Sequence, residues 1–305
     1  MESADFGRTY TTPRNISSQV LDVAWTRSKP GWDGGFRWVA TGPPGGIELA
    51  NGRLLVPADI QTAPTPNCSN PYTLRQKRSG LGAGAGDGKG CTQALSMYSD
   101  GPSCPLSSCM VLNCTDSDPT LLLMTADKGV TWHHSADLII QGSETQFVQL
   151  ANGSVLANTR SHDNPDGTRI NHRWMARSDD FGRTWPEALR WPLLDIRAES
   201  DCEASMVLVP PSAAHPQELL VLSHTWGSGQ SSSLMARGNL TLHTSTDGGR
   251  RWSHHAQVYA GHAQYSSLAT LNETHVGLLW FAGDPGCYQA GDGQGQVFTV
   301  HRVRG

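Results

Sequence analysis

Short apolar runs separated by breaks rich in Gly, Pro, Asn and Asp recur along almost the whole chain. Their length and alternation predict strands at 36–41, 47–50, 54–58, 121–125, 147–150, 155–159, 173–177, 206–209, 219–223, 240–244, 268–271, 276–280 and 297–303. Asn51-Gly52 and Asn152-Gly153 stand between such runs, the dipeptide that favours a tight hairpin turn. No amphipathic stretch of helical period exceeds about three turns. The reading is an all-β chain. Its apolar runs are only a few residues long, as in Leu121-Leu122-Leu123-Met124, far short of the roughly 20 residues a membrane helix needs.

Composition supports that picture. Gly (33) and Pro (18) make up about a sixth of the 305 residues, against roughly an eighth in an average protein, so turns are frequent and strands short. Residues 61–118 depart from the strand pattern, with Pro, Gly, Ser and five of the seven cysteines. They read as an insertion within one domain spanning 1–305. The glycine run at 80–88 suggests a phosphate loop, but no strand pattern leads in and no helix pattern leads out. Arg75, Lys77 and Arg78 read as solvated loop charges.

Four segments share the template S/T-x-D-x-G-x-x-W/Y. They begin at Ser3, Thr125, Ser178 and Ser245, and the third reads Ser178-Asp179-Asp180-Phe181-Gly182-Arg183-Thr184-Trp185. The Asp can accept backbone N–H groups of its own turn, and the Gly supplies a positive φ. The closing aromatic is expected to fold back into a core. Asp5 and Gly7; Asp127, Gly129 and Trp132; Asp180, Gly182 and Trp185; and Asp247, Gly249 and Trp252 are therefore structural turn residues. The starts lie 122, 53 and 67 residues apart. Sheets repeating at such intervals, each with one marked hairpin, predict propeller blades.

Charge narrows the function. With 23 basic and 27 acidic residues the net charge is −4, which argues against a broad nucleic-acid footprint. No C-x-x-C pair exists and the histidines are scattered, so neither a metal nor another cofactor is expected. Six of the eleven asparagines, Asn15, Asn67, Asn113, Asn152, Asn239 and Asn272, lie in N-x-S/T sequons. Together with seven cysteines they point to the lumen of the secretory pathway. The first residues carry no apolar signal stretch, which reads as a chain lacking its natural beginning.

Candidate chemistry lies outside the repeated turns. Glu144 and Arg160 stand at the two ends of one predicted hairpin, so they should meet at one rim. Arg237 precedes the strand that enters the last turn motif, and Tyr265 precedes another strand. Taken singly, each has a plain reading: a solvated turn carboxylate, two surface charges and a half-buried aromatic.

The repeated turn resembles the Asp-box of the sialidase family. The segments 144–160, 237–242 and 265–270 look like the later active-site motifs of lysosomal-type sialidases, in the same order relative to the boxes. Thr41-Gly42-Pro43-Pro44-Gly45-Gly46-Ile47, followed by Asn51-Gly52-Arg53-Leu54, is similar to a further segment of these enzymes. The resemblance covers nearly the whole chain apart from 61–118. It implies a six-bladed β-propeller with its first blade and part of its second absent, and boxes on the face away from the active site. It also implies an exo-α-sialidase releasing terminal sialic acid from glycoproteins, glycolipids and oligosaccharides. Tyr265 matches the nucleophile, Glu144 its general base, and Arg160 and Arg237 two members of an arginine triad. Carrier proteins are known for such enzymes, but no motif here identifies one.

Those residue types suit the substrate. Sialic acid bears a carboxylate on its anomeric carbon, so a neutral phenol escapes the repulsion a carboxylate nucleophile would meet. A phenol with a pKa near 10 needs an adjacent base. Guanidinium forks bind a carboxylate in bidentate fashion. Two departures stand against full activity. The family's F-R-I-P motif with the first arginine, and its acid/base Asp, have no counterpart. In Leu278-Leu279-Trp280-Phe281, Phe281 occupies the place of a Glu that orients the first arginine. Two other readings follow: a propeller that binds sialylated glycans without cleaving them, and an Asp-box interaction platform.

Overall fold

The computed structural model describes residues 3–5, 7–20, 36–43, 45–62, 120–135, 144–161, 172–196, 202–226, 237–283 and 295–304. The cysteine-rich part of the insertion, with Asn67 and Asn113, lies outside them; the strand before it runs on through Gln61 and Thr62. The described residues form four antiparallel sheets in chain order. In sheet A, β1 (Phe36–Thr41) and β2 (Ile47–Glu48) both pair with β3 (Leu54–Thr62), followed by β4 (Thr120–Thr125) and β5 (His133–His134). Sheet B runs β6 (Thr145–Gln149), β7 (Val155–Thr159), β8 (Arg173–Ser178) and β9 (Arg190–Leu193). Sheet C runs β10 (Ser205–Val209), β11 (Leu219–Trp226), β12 (Gly238–Ser245) and β13 (Ser253–Tyr259). Sheet D has β14 (Ala263–Thr270), β15 (His275–Ala282) and β16 (Gly295–Arg302). Among the described residues, helix is confined to α1 (Ser17–Val20) and a single 3-10 turn (Glu187–Leu189). None is long and apolar enough to cross a membrane.

Strands β5 and β9 span only two and four residues, too short for an alternating pattern to show. In β13 most side chains face solvent, so the apolar alternation that marks a half-buried strand is missing. The first half of β14, Ala263 to Ser267, was missed because Gln264, Ser266 and Ser267 are polar.

The sheets stack face to face. Leu55 and Met124 of sheet A pack with Phe147, Val155 and Trp185 of sheet B. Leu156 and Met175 of B meet Met206, Leu222 and Trp252 of C. Leu219, Val221 and Leu242 of C meet Leu268, Leu278 and Trp280 of D. The other face of D leaves Leu279, Phe298 and Val300 exposed.

The box turns key this stack. In all four, the Ser or Thr hydroxyl accepts the Gly N–H at 2.8–3.0 Å and donates to the Asp carboxylate. The carboxylate in turn accepts the N–H four residues beyond the Ser/Thr-paired Asp, at Thr9, Thr131, Thr184 and Arg251. Gly7, Gly129, Gly182 and Gly249 all have φ between 78° and 84°, a region that excludes most side chains. At Gly249 an added Cβ would also meet Met175 at 3.0 Å.

The Trp indoles donate back to the Gly carbonyls of their own turns. Trp185 and Trp252 then pack into the cluster shared with the preceding sheet. Cross-sheet bonds reinforce the contact: Arg53 reaches the Phe181 carbonyl, Trp191 the Gly249 carbonyl, and Asp195 accepts from the Trp252 N–H.

Burial of the closing aromatic does not extend to all four boxes. Trp132 is half-buried, its N–H held by Gln19. Tyr10 is 61% exposed, and its ring lies over its own Gly7. The turn therefore forms from its own hydrogen bonds, and core burial comes only where another sheet stands behind it.

Among the sequon asparagines, Asn15, Asn152 and Asn272 are exposed, each accepting a backbone N–H of its own turn. Asn239 is half-buried, with φ 50° and its amide oxygen bonded to Gln257. The left-handed φ at Asn239 breaks the strand alternation between it and Arg237.

Stability measurements separate core from turn. Trp185→Ala should cost about 3–5 kcal/mol in urea unfolding, whereas Tyr10→Ala should stay within about 0.5 kcal/mol.

Candidate active site

The candidate residues sit at the strand ends opposite the boxes. Glu144 directly precedes β6, and Arg160 directly follows β7. The hairpin therefore ends as a pair, with the Arg160 N–H on the Glu144 carbonyl at 3.1 Å. Arg237 precedes β12, whose far end carries the box at 245–252. Tyr265 lies near the start of β14.

The structure brings all four together. The Tyr265 hydroxyl donates to Glu144 Oε1 at 2.7 Å across 121 residues of sequence. Arg160 Nη1 donates to Glu144 Oε2 at 2.6 Å. The Arg237 guanidinium carbon lies 5.7 Å from the centre of the Tyr265 ring, with Nη1 on Gln264 Oε1 at 3.2 Å. One carboxylate thus bridges a phenol and a guanidinium, and a second guanidinium flanks the phenol. Phe281 pairs with Gln264 in the β14–β15 ladder, so it stands across from the residue that holds Arg237.

Tyr265 occupies an unusual backbone position. Its φ is 42°, left-handed, and the β14–β15 register slips between Gln264 and Ser266. A bulged tyrosine of this kind costs on the order of 1–3 kcal/mol and persists only where its surroundings impose it. Burial pushes the phenol's pKa well above its usual value. The neighbouring Glu144 charge adds to this, while Arg160 opposes it. The hydroxyl therefore stays neutral through the physiological range unless Glu144 takes its proton as the oxygen reacts.

Two buried ionisable residues that sequence reasoning missed, Arg173 and Glu203, adjoin the site. Arg173 is 1% exposed; its Nε donates to Asn158 Oδ1 at 2.7 Å and its Nη1 to the Cys202 carbonyl at 2.8 Å. Its two-residue spacing from buried Met175 was the available signal, since it places an arginine on an inward face. Glu203 is 2% exposed, and its Oε2 accepts the Ser266 N–H at 2.8 Å. Burial raises its carboxyl to about 8 despite the Ser266 N–H, and the nearby Glu144 charge adds to the rise. It stands ahead of β10 in a short polar segment without periodicity, so no pattern marked it. Among the described residues, no group of three His, Cys, Asp or Glu is arranged to hold a metal ion.

Repeated box turns on stacked antiparallel sheets, with a polar cluster at the opposite strand ends, define a BNR-type β-propeller. The chain belongs to the family of the BNR repeat-like domain, whose model matches residues 90–278. It is 23% identical over 286 residues to a sialidase of Bacteroides fragilis, an alignment covering 92% of this chain and 38% of that protein. Among solved structures, it is similar to the Hadza microbial sialidase Hz136, with a TM-score of 0.60 and 20% identity over 99% of this chain and 43% of that one. It is also similar to the Trypanosoma rangeli sialidase in complex with 2,3-difluorosialic acid, a covalent intermediate, with a TM-score of 0.53 and 16% identity over 88% of this chain and 32% of that one. The chain thus spans well under half the length of these relatives. The likeness establishes an all-β propeller fold, with four blades among the described residues.

Glu203 makes stability depend on pH. Its folded-state pKa of about 8 exceeds its ordinary 4.5, so its contribution is complete below about pH 4.5 and is lost as pH rises through about 8. The Tm of the native chain relative to Glu203→Gln should therefore fall between those limits and level off above them.

Proposed function

We propose that this chain carries the nucleophile half of an exo-α-sialidase site of lysosomal type, within a six-bladed propeller working in a lumenal compartment. The observation that carries the reading is the 2.7 Å hydrogen bond from the Tyr265 hydroxyl to Glu144, in a cluster that also holds Arg160 and Arg237. In this reading the two guanidinium groups receive the sialic acid carboxylate. The Tyr265 oxygen attacks the anomeric carbon as its proton passes to Glu144. The bond to the leaving oxygen breaks, and that oxygen is protonated by an acid. Water, losing a proton to the conjugate base of that acid, then attacks the anomeric carbon; the tyrosyl–sugar bond breaks and Tyr265 recovers its proton from Glu144, with configuration retained.

Arg160 is held by Glu144, so binding of the substrate carboxylate would share or displace one of its hydrogen bonds. The likeness to proteins named as sialidases supports the reading, as does the neutral phenol beside its base.

A second reading, binding of sialosides without cleavage, is favoured by Phe281, which brings no carboxylate to the strand position beside Arg237. Release from a fluorogenic sialoside by residues 1–305 separates the two. The expected rate is at least about 10²-fold below that of a sialidase with its acid/base residue and first arginine, and Tyr265→Phe should remove it. Release that Tyr265→Phe leaves intact would exclude the mechanism, and sialoside binding without release would establish the second reading.

A further inference from the structure

The left-handed turn of the chain at Tyr265 needs something to hold it. Among the described residues, the β14 edge facing sheet C has no strand partner, and its backbone N–H groups take acceptors from side chains. Side chains of the segment entering sheet C supply them. Glu203 Oε2 takes the Ser266 N–H at 2.8 Å, and Ser205 Oγ takes the Leu268 N–H at 2.9 Å. The Cys202 thiol receives the Tyr265 N–H. Successive residues 202 and 203 thus grip successive amides 265 and 266, on either side of the peptide unit where the bulge forms. Ser223 Oγ, from β11, meets Ser266 Oγ at 2.7 Å and closes the grip from the side.

The grip is itself anchored. Arg173 binds the Cys202 carbonyl and, through Nε, Asn158 of β7. That strand leads to Arg160, the partner of Glu144. A continuous buried path therefore runs from the base side of the site in sheet B to the phenol side in sheet D. It passes from Arg173 of sheet B to Cys202 and Glu203, in the segment entering sheet C.

We propose that Glu203 is the positioning residue for Tyr265: its side-chain oxygen, by accepting the Ser266 N–H, imposes the bulge that delivers the phenol to Glu144. The proposal rests on the sialidase reading for what Tyr265 does, and on geometry alone for what Glu203 does. Glu203 acts as a neutral acceptor. Burial and the Glu144 carboxylate both favour its protonated form, and Arg173 and Arg160 oppose them only in part. A side chain that accepts one hydrogen bond without needing charge should be replaceable by glutamine and not by an apolar residue of the same length.

The test compares Glu203→Gln, Glu203→Met and Glu203→Ala in the chain as it stands, with two readouts. Amide hydrogen exchange at Ser266 should accelerate roughly tenfold in the Met and Ala variants and far less in Gln, the factor expected from losing one buried hydrogen bond. With an aryl sialoside, kcat should fall about 10-fold to 10²-fold in the Met variant while KM moves little, because a misplaced nucleophile harms the reacting geometry more than binding. Glu203→Gln should recover most of that loss.

The Met variant, close to Glu in shape, keeps the comparison informative if the cavity left by Ala prevents folding. Unchanged Ser266 exchange in a folded Met variant would overturn the proposal. Equal damage from Gln and Met would also overturn it, since charge would then be the operative property. Absence of any Tyr265-dependent turnover in the native chain would count against the sialidase reading instead, and the exchange measurement would still decide the role of Glu203.

Discussion

A blade's innermost strand has a sheet partner on one edge only. Its other edge faces the neighbouring blade with backbone N–H groups that cannot be left bare in a packed interior. How those amides are satisfied decides where the strand's side chains go. For β14 the answer lies in the preceding blade: Cys202, Glu203 and Ser205 accept from residues 265, 266 and 268. An ordinary extended residue at 265 would continue the alternation set by Leu268 and its neighbours. The left-handed one turns the phenol toward Glu144, two sheets away in the order of the stack. The central contact of the site is therefore a consequence of how blades B, C and D are docked.

Docking depends in turn on the boxes. Each box closes on itself through a hydroxyl, a carboxylate and a left-handed glycine, and the boxes at 178–185 and 245–252 then present Trp185 and Trp252 to the blade before them. This division of labour lets strand ends at one side of the molecule be rigid and apolar while those at the other gather charge. Glu144, Arg160, Arg173, Glu203 and Arg237 are all largely buried. Buried charges seldom add stability, even when paired. The cluster is better understood as a polar network whose cost is offset by the apolar clusters between blades, and whose members fix one another's positions.

The sequence makes the scaffold more legible than the site. The four boxes and the Asn-Gly hairpins are local: each forms from hydrogen bonds within a few residues, so their spelling carries their structure. Strand β13 and the first half of β14 escape notice because exposure or a bulge erases the alternation that identifies a strand. The meeting of Glu144 with Arg160 follows from a hairpin and is local too. The meeting of Glu144 with Tyr265 is not local, and only the resemblance to sialidases pointed to it. Arg173 carried a readable sign, an arginine on the inward parity of a strand. Glu203 carried none, because its role is to satisfy an amide 63 residues away, and that need arises only once two blades are docked.

The most direct test of the account is covalent capture of the nucleophile. 2,3-Difluorosialic acid loses fluoride without needing a proton from an acid, so its reaction reports on Tyr265 and its base rather than on the rest of a catalytic cycle. Peptide mapping by mass spectrometry after incubation should find a single fluorosialyl adduct on Tyr265, formed much more slowly when Glu144 is replaced by Gln. An adduct on another residue, or adduct formation that persists in Tyr265→Phe, would contradict the assignment of Tyr265 and Glu144 as the reacting pair.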